Sequence, residues 1–296
     1  MTLLFGELCG LGGALSWALS SVLLTRLNRK VHLMTIGAVR GMCSTLFFFL
    51  LLPFYGGLNV FEGVDLSTIV LLVISMMLVL GIGDTLFLIS AKQIGMVRTM
   101  PLSMTHVLFT FLLAAIFLNE QISFGVLSGA LLILAGVYLL SSGPRAAPAH
   151  PLSKAHAWGI FLALATAVCW AAGTVILAPI SQRLHPLAVN CIRQPAAALL
   201  FLLAMPKSEG FRQVRALTRN ELATLVFAGT LATGLGSLLY LWSLRYAGAS
   251  ISAVLSATSP IFSTPLSILL LGEKATRRIV VGSVLIVAGV WLVIFG

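Results

Sequence analysis

Residues 81–123 read GIGDTLFLISAKQIGMVRTMPLSMTHVLFTFLLAAIFLNEQIS, and residues 234–276 read GLGSLLYLWSLRYAGASISAVLSATSPIFSTPLSILLLGEKAT. Superimposed at an offset of 153 residues, they align Gly81 with Gly234, Gly83 with Gly236, Lys92 with Arg245, Gly95 with Gly248, Thr105 with Thr258 and Glu120 with Glu273. Working outward, the same offset carries Trp17 to Trp170, His32 to His185, Arg40 to Arg193, Pro53 to Pro206, Gly129 to Gly282, and Ala135-Gly136-Val137 to Ala288-Gly289-Val290. Tryptophan, histidine, arginine and proline are too rare here for an apolar composition alone to produce the match. The chain reads as a tandem duplication, and a fixed internal period decides the architecture.

Composition identifies the solvent. Hydrophobic residues make up 59% of the chain and charged residues 9%, against roughly 25% charged in soluble domains. Charge-free runs at 8–25, 66–83, 99–119, 121–144, 155–182, 222–244, 246–272 and 279–296 approach or exceed the roughly 18 to 20 residues that span a bilayer. Segments 32–54 and 187–205 join them if one arginine each is accepted. These runs do not alternate as barrel strands would, so helices are expected. The expected fold is an all-α integral membrane protein of ten transmembrane helices, five per repeat. Residues 1–143 form the first repeat, 144–156 a Pro- and Ala-rich linker, and 157–296 the second.

Five spans per copy force the second copy to enter the membrane from the opposite side. Basic residues give an independent check. Arg26, Arg29 and Lys30 follow helix 1, and Lys92 and Arg98 follow helix 3. In the second copy they follow the even-numbered partner positions: Lys207, Arg212, Arg215 and Arg219 come after helix 7, and Lys274, Arg277 and Arg278 after helix 9. With Arg145 and Lys154 of the linker, these fall on one side, which the positive-inside rule makes cytoplasmic, and only Arg183 and Arg245 flank the other face. Both termini are then non-cytoplasmic, and the expected location is the cell (inner) membrane. The net charge of +10 is explained as an orientation signal, with no soluble domain to carry nucleic-acid binding. Helix 1 lacks a basic leader and carries Glu7, so it reads as a retained span. Cys9, Cys43, Cys169 and Cys191 lie within spans at no metal-like spacing, and neither metal nor cofactor is expected.

The two quoted segments resemble the third-to-fourth helix signature of the EamA family, in the drug/metabolite transporter superfamily. The resemblance extends over essentially the whole chain through the paired Trp, Gly-x-Gly and Glu. It implies a secondary transporter with a central cavity between its halves and helices 5 and 10 at the periphery. Family members export amino acids, metabolites, drugs or cations. The repeat alone leads to a similar place, because two inverted copies that exchange conformations open a central cavity first to one side and then to the other.

Ionisable residues inside spans are the sharpest site candidates, since a charge at the bilayer centre costs at least about 2.5 to 3.5 kcal/mol. Arg40 and Asp84 lie at similar depth and are expected to form an ion pair or gate. The repeat partner of Asp84 is Ser237, which leaves Arg193 for an anionic group of the substrate. Snorkelling of both arginines is the alternative. His106, replaced by Ser259 in the second copy, is a candidate for proton coupling or a histidine bonded to Thr105 or a helix carbonyl. Trp17, Trp170, Tyr240 and Ser259 are candidate substrate contacts, the rings being equally readable as helix packing. The glycines of Gly81-Ile82-Gly83 and Gly234-Leu235-Gly236 read as sites of close helix contact or bending. Pro101, Pro260 and Pro265 are expected to interrupt helices 4 and 9. Glu120 and Glu273 read as helix-end capping groups.

The function expected is export of a small metabolite or amino-acid-like solute by alternating access, with the solute and the lipid bilayer as partners and a homodimer as a further option. A lipid or glycolipid flippase of the same superfamily is the alternative. An intramembrane enzyme is remote, because His106 has no nucleophile placed beside it by the sequence, and the protein is read as not an enzyme.

Overall fold

The computed structural model describes residues 2–24, 27, 30–141, 154–271 and 277–295. Linker residues 144–153, Glu273 and the basic residues Arg26, Arg29, Arg145 and Lys274 lie outside these residues. The described residues form helices and turns with no strand. In chain order the α-helices are α1 (Thr2–Leu24), α2 (Leu33–Leu51), α3 (Leu66–Met76), α4 (Asp84–Ile94), α5 (Met96–Met104), α6 (His106–Leu118), α7 (Phe124–Ser141), α8 (Lys154–Arg183), α9 (Pro186–Ala204), α10 (Lys207–Arg215), α11 (Arg219–Gly229), α12 (Ser237–Ser256), α13 (Ser259–Leu271) and α14 (Arg277–Phe295). Eight helical segments among the described residues are long and apolar enough to cross a membrane. The expected fifth span is shorter, Phe124–Leu139. The expected ninth is divided by a kink at Gly248 and a turn at Ala257–Thr258.

The sequence repeat is also a repeat of local geometry. His32 caps α2 by accepting from Met34 N at 3.3 Å, and His185 caps α9 by accepting from Leu187 N at 3.2 Å. Wide π-type turns join α3 to α4 over Met77–Gly83 and α11 to α12 over Thr230–Gly236, each ending on its Gly-x-Gly. Gly95 (φ 80°, ψ 152°) and Gly248 (φ 81°, ψ 177°) occupy a backbone region that is essentially glycine's alone. Thr105 and Thr258 each donate their hydroxyl to the carbonyl three residues back, Leu102 O at 2.5 Å and Leu255 O at 2.6 Å, where the helices pause. The first pause lies beyond Pro101, whereas the second comes just before Pro260, which has no N–H to offer Ser256 O. Pro101 and Pro265 lie inside α5 and α13, and Pro260 is the second residue of α13, where a missing N–H costs little.

Packing runs between the copies. α1 lies against α12 and α4 against α8, while α2 meets its own counterpart α9 and α7 meets α14. The last of these crossings is set by glycine. A Cβ on Gly129 would stand 2.6 Å from Gly289 O, and one on Gly289 2.6 Å from Gly129 O, so the two backbones touch. The outer faces of this pair are apolar and exposed at Leu131, Tyr138, Val284 and Trp291, as lipid contact requires.

Candidate functional site

The π-type turns seat the two tryptophans. A Cβ on Gly83 would meet the Trp170 ring at 2.8 Å, and one on Gly236 would meet the Trp17 ring at 3.0 Å. Trp17 donates its indole N–H to Ala232 O at 3.0 Å, a carbonyl within the second turn, where the ordinary helical bonding is disrupted. The corresponding indole of the second copy donates elsewhere, past the first π-type turn: Trp170 Nε1 bonds Asp84 Oδ1 at 3.0 Å. Each indole packs on the ring at the matching position of the other copy, Trp17 on Tyr240 at 5.4 Å and Trp170 on Phe87 at 5.7 Å.

Between these rings lies a cavity of two adjoining chambers, about 460 and 390 Å³. Trp17, Arg40, Asp84, Trp170 and Ser259 line both. The first chamber extends along Gly37, Met34 and Leu33 at the start of α2, opposite Leu88 of α4, with Pro260 on its wall. The second is deeper and holds His106, Arg193 and Tyr240. Thus Trp17, Trp170, Arg193, Tyr240, Ser259, Arg40, Asp84 and His106 share one space, with contributions from both copies. Pro101 and Pro265 do not line it.

Arg40 and Asp84 are close enough to feel one another's charge, but the hydrogen bond to Asp84 in this conformation comes from Trp170. The Nε atoms of Arg40 and Arg193 are buried without a hydrogen-bond partner, a costly arrangement unless something polar arrives. His106 is 7% exposed, with Nδ1 3.3 Å from Ser103 O and its ring edge-on to Trp170 at 5.8 Å. A bond to Ser103 O requires the proton on Nδ1, which leaves Nε2 as an acceptor.

Thr174, Gln194 and Ser237 also line the deeper chamber, with Asn190 bonded behind them. Ser237 donates to Asn190 Oδ1 at 2.7 Å, Gln194 Nε2 reaches Ser237 Oγ at 3.3 Å, and Thr174 Oγ1 pairs with the Tyr240 hydroxyl at 2.9 Å. Asn190 Nδ2 and Gln194 Oε1 stay buried and unpartnered beside Arg193. Counting only charged residues misses them. The readable signal is Asn190, Arg193 and Gln194 at i, i+3 and i+4 within one span, a polar face where an apolar one is expected.

Glu120 completes the geometry at a distance. From the end of α6 its carboxylate accepts from Ala249 N at 2.7 Å, Ser250 N at 3.0 Å and Ser250 Oγ at 2.6 Å. It caps the helix that restarts after Gly248, in the other copy.

An all-helical, multi-pass membrane protein with a polar chamber at its centre, walled by charged groups and tryptophans, defines the transporter class. The family model for the EamA-like transporter family matches residues 4–142 and again 157–295. The chain belongs to the EamA-like transporter family, within the drug/metabolite transporter superfamily, and is a membrane transporter. It is 26% identical over 289 residues to a protein of Archaeoglobus fulgidus described as an uncharacterized transporter, covering 97% of each chain. It is 27% identical to one of Clostridium kluyveri with the same description, over 62% of this chain and 59% of that one. A crystal structure at 18% identity superposes with a TM-score of 0.80, covering 97% of this chain and 95% of the other, so the two share a fold.

Proposed function

We propose that the protein is a secondary active transporter that exports a small metabolite or amino-acid-like solute by alternating access through the central cavity. In this reading ten membrane-crossing segments form two inverted five-helix repeats, residues 1–143 and 157–296, joined by 144–156, with both termini on the non-cytoplasmic side of the cell membrane. The matched caps, π-type turns and glycine breaks at a constant offset support two copies of one machine. The basic residues on one set of loops support inversion. Export follows the direction of transport by the family.

The single observation that carries the reading is a chamber lined by arginines whose Nε atoms are buried without a partner, set between two tryptophans from opposite copies. A solute carboxylate would satisfy Arg193, and the rings of Trp17, Trp170 and Tyr240 would cover its apolar part while Ser259 adds a hydroxyl. Arg40 and Asp84 act as the gating pair, which closes directly in the exchanged conformation once Trp170 releases Asp84. His106 is the candidate coupling residue. A thermal-shift screen of the purified protein against amino acids and small carboxylates tests this, since a ligand at 100 times its Kd stabilises the native state by about 2.7 kcal/mol. Stabilisation of the native protein, weakened about tenfold or more in apparent affinity by Arg193→Gln, is expected from the loss of a charge-assisted hydrogen bond. No stabilisation by any soluble solute, together with headgroup flipping in vesicles, would overturn it in favour of a lipid carrier.

A further inference from the structure

The repeat offers an internal control for the two ends of the cavity. At one end the chamber runs out between α2 and α4, lined by Leu33, Met34, Gly37 and Leu88, with Leu33 40% exposed. The offset of 153 maps these four onto Pro186, Leu187, Asn190 and Leu241 at the opposite end, between α9 and α12. All four are buried, Leu187 to 1% and Asn190 and Leu241 to 0% exposure. One seam is open where its counterpart is shut.

The shut seam is covered by a cluster whose central rings, Trp242 and Tyr246, are not repeated at the open one. Arg245 Nη1 donates to Leu184 O at 2.9 Å, tying α12 to the end of α8. Its guanidinium lies 5.8 Å from the centre of the Trp242 ring. Trp242 stacks on Tyr246 (5.6 Å, 5°) and takes His185 edge-on at 5.4 Å. Tyr55, beyond α2, packs on His185 at 5.6 Å, and Phe5 of α1 packs edge-on against Trp242 and Tyr246 at 6.3 and 5.7 Å. Both copies are therefore stitched together here. At the open seam, Trp242 and Tyr246 are replaced by Ile89 and Gln93, and Arg245 by Lys92, a point charge on a flexible stem that lacks the planar fork for stacking.

We propose that Phe5, Tyr55, His185, Trp242, Arg245 and Tyr246 form the gate that closes the cavity toward the end of the molecule opposite Leu33. The inference rests on the alternating-access reading: in the exchanged conformation the α9–α12 seam opens, and this cluster must come apart. Arg245 and Trp242 are then gating residues that set the balance of conformations without touching the solute. Their rings and guanidinium form a one-sided lock, so the two conformations are unequal in stability although the backbone devices are paired.

Labelling of a cavity cysteine from each face tests the gate. Ser256 lines the deeper chamber. Ser256→Cys is introduced after replacing the four natural cysteines with serine or alanine, and a membrane-impermeant maleimide is applied to either face of reconstituted vesicles. With the cluster intact, labelling is expected chiefly from the face of Leu33. Arg245→Ala and, separately, Trp242→Leu are expected to raise the rate from the opposite face by about tenfold, as loss of a half-buried cation–π and hydrogen-bonded contact shifts a two-state balance. If Arg245→Ala fails to fold, Tyr246→Leu at the exposed rim reads out the same shift more weakly. Unchanged opposite-face labelling in variants that retain normal labelling from the Leu33 face would overturn the gate. Labelling from the opposite face already fast with the cluster intact would overturn it equally. A cysteine reached from neither face in any variant, with or without solute, would instead overturn the alternating-access reading beneath it.

Discussion

Removing the Glu120 carboxylate should loosen the broken helix of the second copy, and the size of the effect follows from its contacts. The carboxylate satisfies two backbone N–H groups, Ala249 and Ser250, where α12 restarts after Gly248. Losing a helix N-cap costs about 1 kcal/mol, and leaving a second buried N–H unpaired costs a further 1 to 3 kcal/mol or so. Glu120→Ala is therefore expected to destabilise by about 2 to 4 kcal/mol. Glu120→Gln keeps an acceptor and loses only the charge assistance and its favourable position at a helix N-terminus, about 1 to 2 kcal/mol. Gly248 supplies a second arm. A Cβ there would meet Glu120 Oε1 at 2.8 Å on a backbone with φ 81°, so Gly248→Ala pays both a clash and backbone strain. In the Glu120→Ala background only the strain remains, and the two costs should combine to less than their sum. Reversible unfolding in mixed detergent and SDS micelles measures all four states. A Glu120→Ala protein within about 0.5 kcal/mol of the parent, the range of an ordinary surface substitution, would show that the cap carries no weight and that the argument from hydrogen-bond partners is wrong.

Exchanging Arg40 and Asp84 should restore more transport than either single charge reversal retains; a double variant no better than the singles removes the gating pair. His106→Gln should flatten the pH dependence of transport in vesicles, and an unaltered profile excludes a coupling role for the histidine. Acid should open the gate. Burial, and then the neighbouring Arg245, hold His185 below the usual imidazole range, so the closed cluster disfavours the imidazolium. The closed state is therefore fully favoured above about pH 6.5 and loses ground as pH falls through the ordinary histidine value. The groups facing His185 are Arg245 and Trp242 on α12 and Tyr55 beyond α2, and its own Nδ1 accepts from Leu187 N. The ratio of opposite-face to Leu33-face labelling of Ser256→Cys, in which the common loss of thiolate with acid cancels, should rise between about pH 7.5 and 5.5 and stay flat in His185→Gln; a parallel rise in both would assign the effect to another group.

Much of the machinery was legible because the offset marks residues whose roles are geometric. The paired glycines read as sites of close contact, and tryptophan rings press on Gly83 and Gly236 there; the paired histidines cap paired helices, and Glu120 caps a helix of the other copy in place of its own helix end. Helix breaks were misread. Proline looks like the breaker, yet the pauses sit at Thr105 and at Ala257–Thr258, where a hydroxyl satisfies a carbonyl; Pro101 and Pro265 lie inside their helices, and only Pro260 adjoins a pause. The Arg40–Asp84 pairing was inferred from depth along the helices, which says nothing about azimuth; Trp170 turns out to be the hydrogen-bond donor that reaches Asp84. Asn190, Gln194 and Thr174 escaped notice because neutral polar residues in spans look like packing until their partners are known. The cluster around His185 and Trp242 was invisible for another reason. Its members come from four separate stretches of the chain, and the repeat fails at only three of them, Tyr55, Trp242 and Tyr246, whose partners are Ser208, Ile89 and Gln93.

Trans-stimulation in proteoliposomes tests the central claim most directly. For a solute found by the thermal-shift screen, uptake of labelled solute should be saturable. It should accelerate when the vesicles are preloaded with the unlabelled form, because a loaded cavity returns through the alternating cycle. Flux that rises linearly with concentration and ignores the internal solute would contradict a carrier and leave a pore in its place.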